Sequence, residues 1–173
     1  MLKVAICDDE LKELSQISDM LNQYKAEKNV VLKYDAFSTA VELLEAMKRH
    51  AYDVLLLDVM MPGINGLMAA REIRGFDPSV KIIFLTSSPE FAVESYAVNA
   101  HYYLLKPCTT NKLFPVLDRI FLEKNRTEEI LSIHQPSGLM RLSLERLEFL
   151  EVSGKKLMFH FDDGNIKEIR GSI

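Results

Sequence analysis

Apolar runs that stop abruptly on a polar residue recur along this chain. Val4-Ala5-Ile6-Cys7 ends at Asp8-Asp9, and Val54-Leu55-Leu56-Leu57 ends at Asp58. Ile82-Ile83-Phe84-Leu85 ends at Thr86, and Tyr103-Leu104-Leu105 ends at Lys106-Pro107. A strand buried on both faces of a parallel sheet reads as a continuous apolar run. Between the runs lie amphipathic stretches. Leu11, Leu14, Ile17, Leu21 and Tyr24 recur every three or four residues, the period of a helix with one buried face.

Other local signals fill in the same alternation. Residues 30–37 read as a second strand, and Thr39-Ala40-Val41-Glu42 has the form of a capping box opening a helix to Met47. Pro62-Gly63-Ile64-Asn65-Gly66 is a turn-rich loop, followed by a helix to about Arg74 and a break at Phe76-Asp77-Pro78-Ser79. Residues 89–98 form a short helix. Thr110 or Asn111 caps a last one, with Leu113, Phe114, Leu117, Ile120 and Phe121 inward and Pro115 near its first turn. Strand and helix thus alternate five times. That order predicts an α/β fold, a five-stranded parallel, doubly wound sheet of flavodoxin-like topology, over residues 1–124.

The texture changes after residue 126. Residues 129–134, 139–144, 146–152 and 156–161 read as short strands. Pro136-Ser137-Gly138, Ser153-Gly154 and Asp162-Asp163-Gly164-Asn165 punctuate them as turns. This predicts a short all-β segment over residues 128–173, too small to stand alone, that ends at Gly171-Ser172-Ile173 without a closing element.

With 173 residues, nearly half of them apolar, the chain builds a core without staples. Its net charge of -4 gives no electrostatic argument for nucleic acid. Cys7 and Cys108 make no disulfide framework, and Cys7 is expected to be a buried thiol. No run approaches transmembrane length, and Met1-Leu2-Lys3-Val4 leads directly into a strand rather than a signal peptide. A reducing cytoplasm is the expected compartment, with no membrane partner. His50, His101, His134 and His160 show no metal-ligand spacing. The glycines form neither GxGxxG nor a P-loop.

Ligands of open α/β sheets sit beyond the carboxyl ends of the strands. Asp8, Asp9, Asp58, Thr86 and Lys106 are therefore expected to meet there. Asp58, at the tip of a central strand, is placed to attack phosphorus and form an acyl phosphate; its other reading is a solvated strand-end acid or a helix cap. Adjacent carboxylates near a third repel, and a hard divalent cation relieves this. Mg²⁺ takes oxygen ligands, which Asp8, Asp9, Asp58 and the backbone carbonyl of Met60 would supply. Either Asp8 or Asp9 also suits the first helix as a cap. Lys106 would pair with Asp58 and then with a phosphoryl oxygen, or else be an ordinary exposed lysine. A cis Lys106–Pro107 bond is compatible with that turn. Thr86 offers a hydroxyl to the same oxygen, while Ser87 should face the other way.

In this order and strand context, residues 1 to about 124 resemble the receiver domain of two-component response regulators. The loop Met60-Met61-Pro62-Gly63-Ile64-Asn65-Gly66 is similar too. The resemblance implies that Asp8 and Asp9 bind Mg²⁺ and that Asp58 accepts phosphate from a phosphohistidine of a sensor histidine kinase. It implies that Thr86 and Lys106 contact the phosphoryl group, and that Tyr103 is the aromatic partner of Thr86 in a switch. Phosphorylation would repack the face of the last helices and strand and favour a homodimer. Self-dephosphorylation is then the only turnover expected. A phosphatase acting on outside substrates would need an acid two residues beyond the nucleophile, where Met60 stands.

Residues 84–107 and the later stretches Arg146-Leu147-Glu148-Phe149-Leu150-Glu151-Val152, 155–160 and Asp163-Gly164 resemble receivers joined to the front part of a LytTR-type DNA-binding domain. That implies DNA binding and transcription control by an output domain. Arg141, Arg146, Lys155, Lys156, Lys167 and Arg170 are offset by Glu145, Glu148, Glu151, Asp162 and Asp163, a poor phosphate-binding balance. The alternative is a receiver-only interaction module whose output segment does not bind DNA.

Overall fold

The computed structural model describes residues 1–125, 130–135, 138–143, 147–154 and 156–170. The chain divides into two compact units, Met1–Phe121 and Leu122–Ile173. The first unit is α/β. Its strands are β1 (Leu2–Cys7), β2 (Leu32–Phe37), β3 (Val54–Leu57), β4 (Lys81–Thr86) and β5 (Tyr102–Leu105). Its helices are α1 (Leu11–Lys28), α2 (Ala40–Met47), α3 (Gly66–Phe76), α4 (Ala92–Ala97) and α5 (Thr110–Asn125), the last running into the second unit. A 3₁₀ turn, Pro89–Phe91, precedes α4.

The five strands form one sheet in the order β2-β1-β3-β4-β5, all parallel. Side chains alternate across a strand, and the two cores follow that alternation. Leu2, Val4, Ile6, Val54 and Leu56 pack with Leu14, Ile17, Leu21 and Tyr24 of α1 and with Leu113, Leu117 and Ile120 of α5. Ala5, Cys7, Leu55 and Leu57 pack on the other face with Leu43 and Leu44 of α2 and Leu67, Ala70 and Ile73 of α3. Every residue of β3 is buried, as a central strand covered on both faces requires.

Helix ends follow local chemistry, with corrections. Thr39 Oγ1 accepts the Glu42 N–H at 3.2 Å, so α2 is capped as its sequence implies. The return bond of the box goes to Ser38, whose N–H donates to Glu42 Oε2 at 3.2 Å. α5 starts at Thr110, and the Thr109 carbonyl accepts from both Lys112 N–H and Leu113 N–H, each at 3.0 Å. The cap therefore falls one residue before Thr110. Pro115 becomes the sixth helical residue, past the first turn, and the Asn111 carbonyl loses its i+4 donor there.

The second unit is all β. A hairpin of β6 (Ile130–Gln135) and β7 (Gly138–Ser143) stands beside a sheet ordered β10-β9-β8, made of β8 (Leu147–Ser153), β9 (Lys156–Phe161) and β10 (Ile166–Arg170). Leu142, Phe159 and Ile169 form its small core. β10 closes the antiparallel sheet at a position where the sequence shows no further strand. Ile166 and Ile169 stand three apart and so face opposite sides, one 58% exposed and the other 9%. The period-2 signal is lost for that reason. Of the expected turns, Pro136-Ser137 lies outside the described residues, as do Glu145, Arg146, Lys155 and Gly171-Ser172-Ile173.

Candidate functional site

The carboxyl ends of β1, β3 and β5 bring four of the expected side chains together. The Asp8, Asp9 and Asp58 carboxylates each offer an oxygen within 4.8 Å of the others. Lys106 Nζ donates to Asp8 Oδ2 at 2.7 Å and to Asp58 Oδ2 at 3.2 Å. Backbone pairing carries each strand just far enough to do this. The Asp58 N–H bonds the Cys7 carbonyl at 2.9 Å, and the Lys106 N–H bonds the Thr86 carbonyl at 2.9 Å. The Lys106–Pro107 peptide is cis.

Electrostatics of the cluster are dominated by burial. Asp8 and Asp58 are 1% and 4% exposed, whereas Asp9 is open to solvent. Burial pushes the Asp8 carboxyl above its ordinary value, against the pull of the Lys106 ammonium and the Glu10 N–H. That N–H donates to Asp8 Oδ1 at 3.0 Å, so Asp8 also ties down the entry to α1. Burial works against the Lys106 charge, but Asp8 and Asp58 outweigh it and raise the ammonium. Cys7 lies beneath, its thiol pushed up to about 12 by burial and then by the charge of Asp8. It is an inert core group, with Sγ 3.6 Å from Met61 Sδ.

Three carboxylates meet one ammonium, which leaves an excess of negative charge on hard oxygen donors. Two of those donors are held in a dry wall. Such a set fits a small oxygen-seeking divalent cation. Among the described residues this is the one grouping of acid, cysteine or histidine side chains close enough to hold a metal.

Thr86 is fully buried at the end of β4, and its Oγ1 accepts the Ser88 N–H at 3.4 Å. Ser87 is exposed, as alternation requires. The half-buried Tyr103 hydroxyl donates to the Ser88 carbonyl, and its ring lies 6.0 Å from that of Phe84. Burial, then the charges of Glu90 and Asp58, raise its phenol. Ser88 therefore joins Thr86 to Tyr103 through its two backbone groups, a link no side-chain pattern advertises. The Met60 N–H donates to Asp58 Oδ1 at 3.3 Å, while its side chain is exposed.

Gly66 is a second residue the sequence reading left without a role. Its N–H bonds the Val59 carbonyl at 3.0 Å, pressing the start of α3 against the segment after β3. A Cβ there would lie 2.0 Å from the Asp58 carbonyl oxygen. Only glycine fits, and the position of Asp58 depends on it. The signal was present: Asn65 caps α3 by accepting the Met68 N–H at 2.8 Å, and glycine at the first helical position carries no propensity advantage.

Comparison with known proteins agrees with this geometry. Residues 4–118 match the family model of the response regulator receiver domain. An uncharacterized response regulatory protein of Yersinia pestis is 31% identical over 164 residues, covering 91% of this chain and 67% of its own length. The sensory transduction protein LytT of Oceanobacillus iheyensis is 25% identical over 180 residues, covering 99% of this chain and 72% of that protein. Across four curated relatives, this chain spans 57% to 72% of their own length. The crystal structure of the response regulator TrrA of Thermotoga maritima, in complex with Mg²⁺ and BeF, superimposes with a TM-score of 0.58 at 28% identity. It covers 69% of this chain and 99% of that one. The acid cluster at the strand ends, the sheet order and the matched span lead to one conclusion: the chain belongs to the receiver domain family of two-component response regulators.

Proposed function

We propose that Asp58 is the phosphoacceptor of this receiver. A carboxylate oxygen of Asp58 attacks the phosphorus of a phosphohistidine on a sensor kinase. The new O–P bond forms as the P–N bond breaks, and the electron pair leaves on the imidazole nitrogen. The single observation that carries this is the buried Asp58 carboxylate, 3.2 Å from the Lys106 ammonium and within 4.8 Å of two further acids. Asp8, Asp9, Asp58 and the Met60 carbonyl would hold Mg²⁺. When bound, that ion would supply positive charge to the phosphoryl oxygens. The Lys106 ammonium, already 3.2 Å from Asp58 Oδ2, would be the second positive charge beside those oxygens. Transfer of this kind needs positioning and charge neutralisation rather than covalent help. Met60 stands where a phosphatase for outside substrates would need an acid, two residues past Asp58, which supports reading the chain as a phosphoacceptor with slow self-dephosphorylation only.

Phosphorylation then biases a two-state equilibrium. Thr86 gives up the Ser88 N–H for the phosphoryl oxygen, and Tyr103 gives up the Ser88 carbonyl. The exposed Val93, Tyr96, Tyr102 and Leu105 supply apolar surface for a homodimer. Asp58→Asn should abolish labelling by acetyl phosphate with Mg²⁺, and undiminished labelling of that variant would remove Asp58 from its role.

Residues 1–124 are read as the receiver and residues 128–173 as the front part of a LytTR-type DNA-binding domain. The match to LytT over nearly the whole chain supports this. The regulator would then act on transcription, in the cytoplasm, with DNA as partner. Among the described residues, no helix is long and apolar enough to cross a membrane. One observation favours the second reading, a receiver whose short output segment holds no DNA. Lys156 is engaged by Glu168 at 3.0 Å, and Lys167 sits 6.0 Å over the Phe161 ring. Mobility shifts on LytTR-type repeat sites, with phosphorylated protein, separate the two.

A further inference from the structure

Lys112 is the third residue of α5, at the end of a helix that disfavours a cation. That first turn carries the positive end of the helix dipole, and no acid stands in it to offset the charge. The side chain is used elsewhere. Helix side chains lean toward the N-terminus, and Lys112 Nζ reaches back over the end of β5. It donates to the Leu105 carbonyl at 3.3 Å and to the Pro107 carbonyl at 3.2 Å. Those two residues flank Lys106. The peptide joining Leu105 to Lys106 is trans, so its N–H and its carbonyl point opposite ways. The Lys106 N–H goes inward, to the Thr86 carbonyl at 2.9 Å on the neighbouring strand. The Leu105 carbonyl goes outward from β5, the outermost strand of the sheet, and Lys112 takes it there. Pro107 has no N–H to tie this segment down; its carbonyl is held by the same ammonium.

We propose that Lys112 is a positioning residue for phosphoryl transfer: its ammonium bridges the carbonyls on either side of Lys106 and so fixes where the Lys106 ammonium stands. The inference rests on the reading of Asp58 as phosphoacceptor and of Lys106 as its phosphoryl contact. Lys106 Nζ lies 2.7 Å from Asp8 Oδ2 and 3.2 Å from Asp58 Oδ2. Loosening it has opposite consequences for two ligands. An ammonium seated on two of the carboxylates opposes Mg²⁺ there, so a looser Lys106 lets Mg²⁺ bind more tightly. The same ammonium attracts phosphoryl oxygens, so a looser Lys106 weakens their hold. A general softening of the fold would weaken both ligands alike.

Lys112→Met keeps the apolar stem and removes the donors. The full chain is titrated with MgCl₂ by calorimetry. At saturating MgCl₂ it is then titrated with beryllofluoride, a stand-in for the phosphoryl group, followed by fluorine NMR. Lys112→Met should bind Mg²⁺ at least about twofold more tightly and beryllofluoride at least about threefold more weakly, the scale of one net hydrogen bond. Lys112→Arg, whose fork of donors can span both carbonyls, should return both affinities to within about twofold of the parent. Lys106→Met is the reference and should show the same split, larger in both directions. If Lys106→Met leaves both affinities unchanged, the phosphoryl-contact reading fails and the inference fails with it. If Lys106→Met shows the split while Lys112→Met shows none, weakens both ligands, or is not restored by arginine, the inference is overturned and the reading of Asp58 and Lys106 stands.

Discussion

At the scale of residues, burial sets the behaviour of the acid cluster. The Asp8 carboxyl is held above its ordinary value even with Lys106 beside it. The folded chain therefore binds that proton more readily than the unfolded chain. The contribution of Asp8 to stability falls as pH rises from the ordinary carboxylate value through the raised one. With divalent cations chelated, Asp8→Asn should unfold at a higher urea concentration than the parent at neutral pH. The gap should close as pH falls toward about 4. A gap that widens on acidification would contradict this ordering. Gly66→Ala tests the other residue-scale claim. With a Cβ 2.0 Å from the Asp58 carbonyl oxygen, backbone must move. A loss of roughly 1–3 kcal/mol in urea unfolding is expected, together with slower labelling at Asp58. Unchanged stability would refute the contact. Asp8, Asp9, Asp58 and Lys106 were legible because each ends an apolar run. Ser88 was not, because what it contributes is backbone, and Gly66 showed only as a glycine opening a helix after a capping Asn65, which does not by itself reveal the close approach to the Asp58 carbonyl.

At the scale of elements, α4 is the loosely held piece. It has six residues, and Val93 and Tyr96 are about four-fifths exposed. Arg74 at the end of α3 ties down its far side. Nε donates to the Val98 carbonyl at 2.7 Å and Nη2 to the Asn99 carbonyl at 3.1 Å. Nη1 bonds the Asp77 and Val80 carbonyls at 3.2 and 2.8 Å. Arg71 adds an ion pair to Glu94 at 3.6 Å. Arg74→Ala leaves these half-buried carbonyls without the guanidinium and should cost about 1–3 kcal/mol. Hydrogen exchange should rise most in α4 and the turn after it. Arg74→Lys should not restore protection, since a point charge cannot copy the fork. Uniform exchange across the sheet would show that Arg74 is not a local clamp. The helices and parallel strands were readable from period and caps. β10 was not, because Ile166 and Ile169 break the alternation, and the α5 start was placed late because Thr109, Thr110 and Asn111 are three cap-type residues in a row.

At the scale of the whole molecule, a well-covered parallel sheet and a small β unit share one chain. The order of strands and helices made the first legible, since right-handed crossovers leave few ways to wind five βα repeats. The second unit was legible only as a set of strands. Its pairing depends on contacts distant in sequence, and its charges are partly spent within it, as Lys156–Glu168 shows. The account as a whole rests on a phosphoryl group arriving at one carboxylate. After incubation with acetyl phosphate and Mg²⁺, borohydride converts an aspartyl phosphate into homoserine at the modified position. Peptide mass spectrometry of the full chain should find homoserine at position 58. Homoserine at position 8 or 9 instead, or none at all in folded protein, would contradict the account.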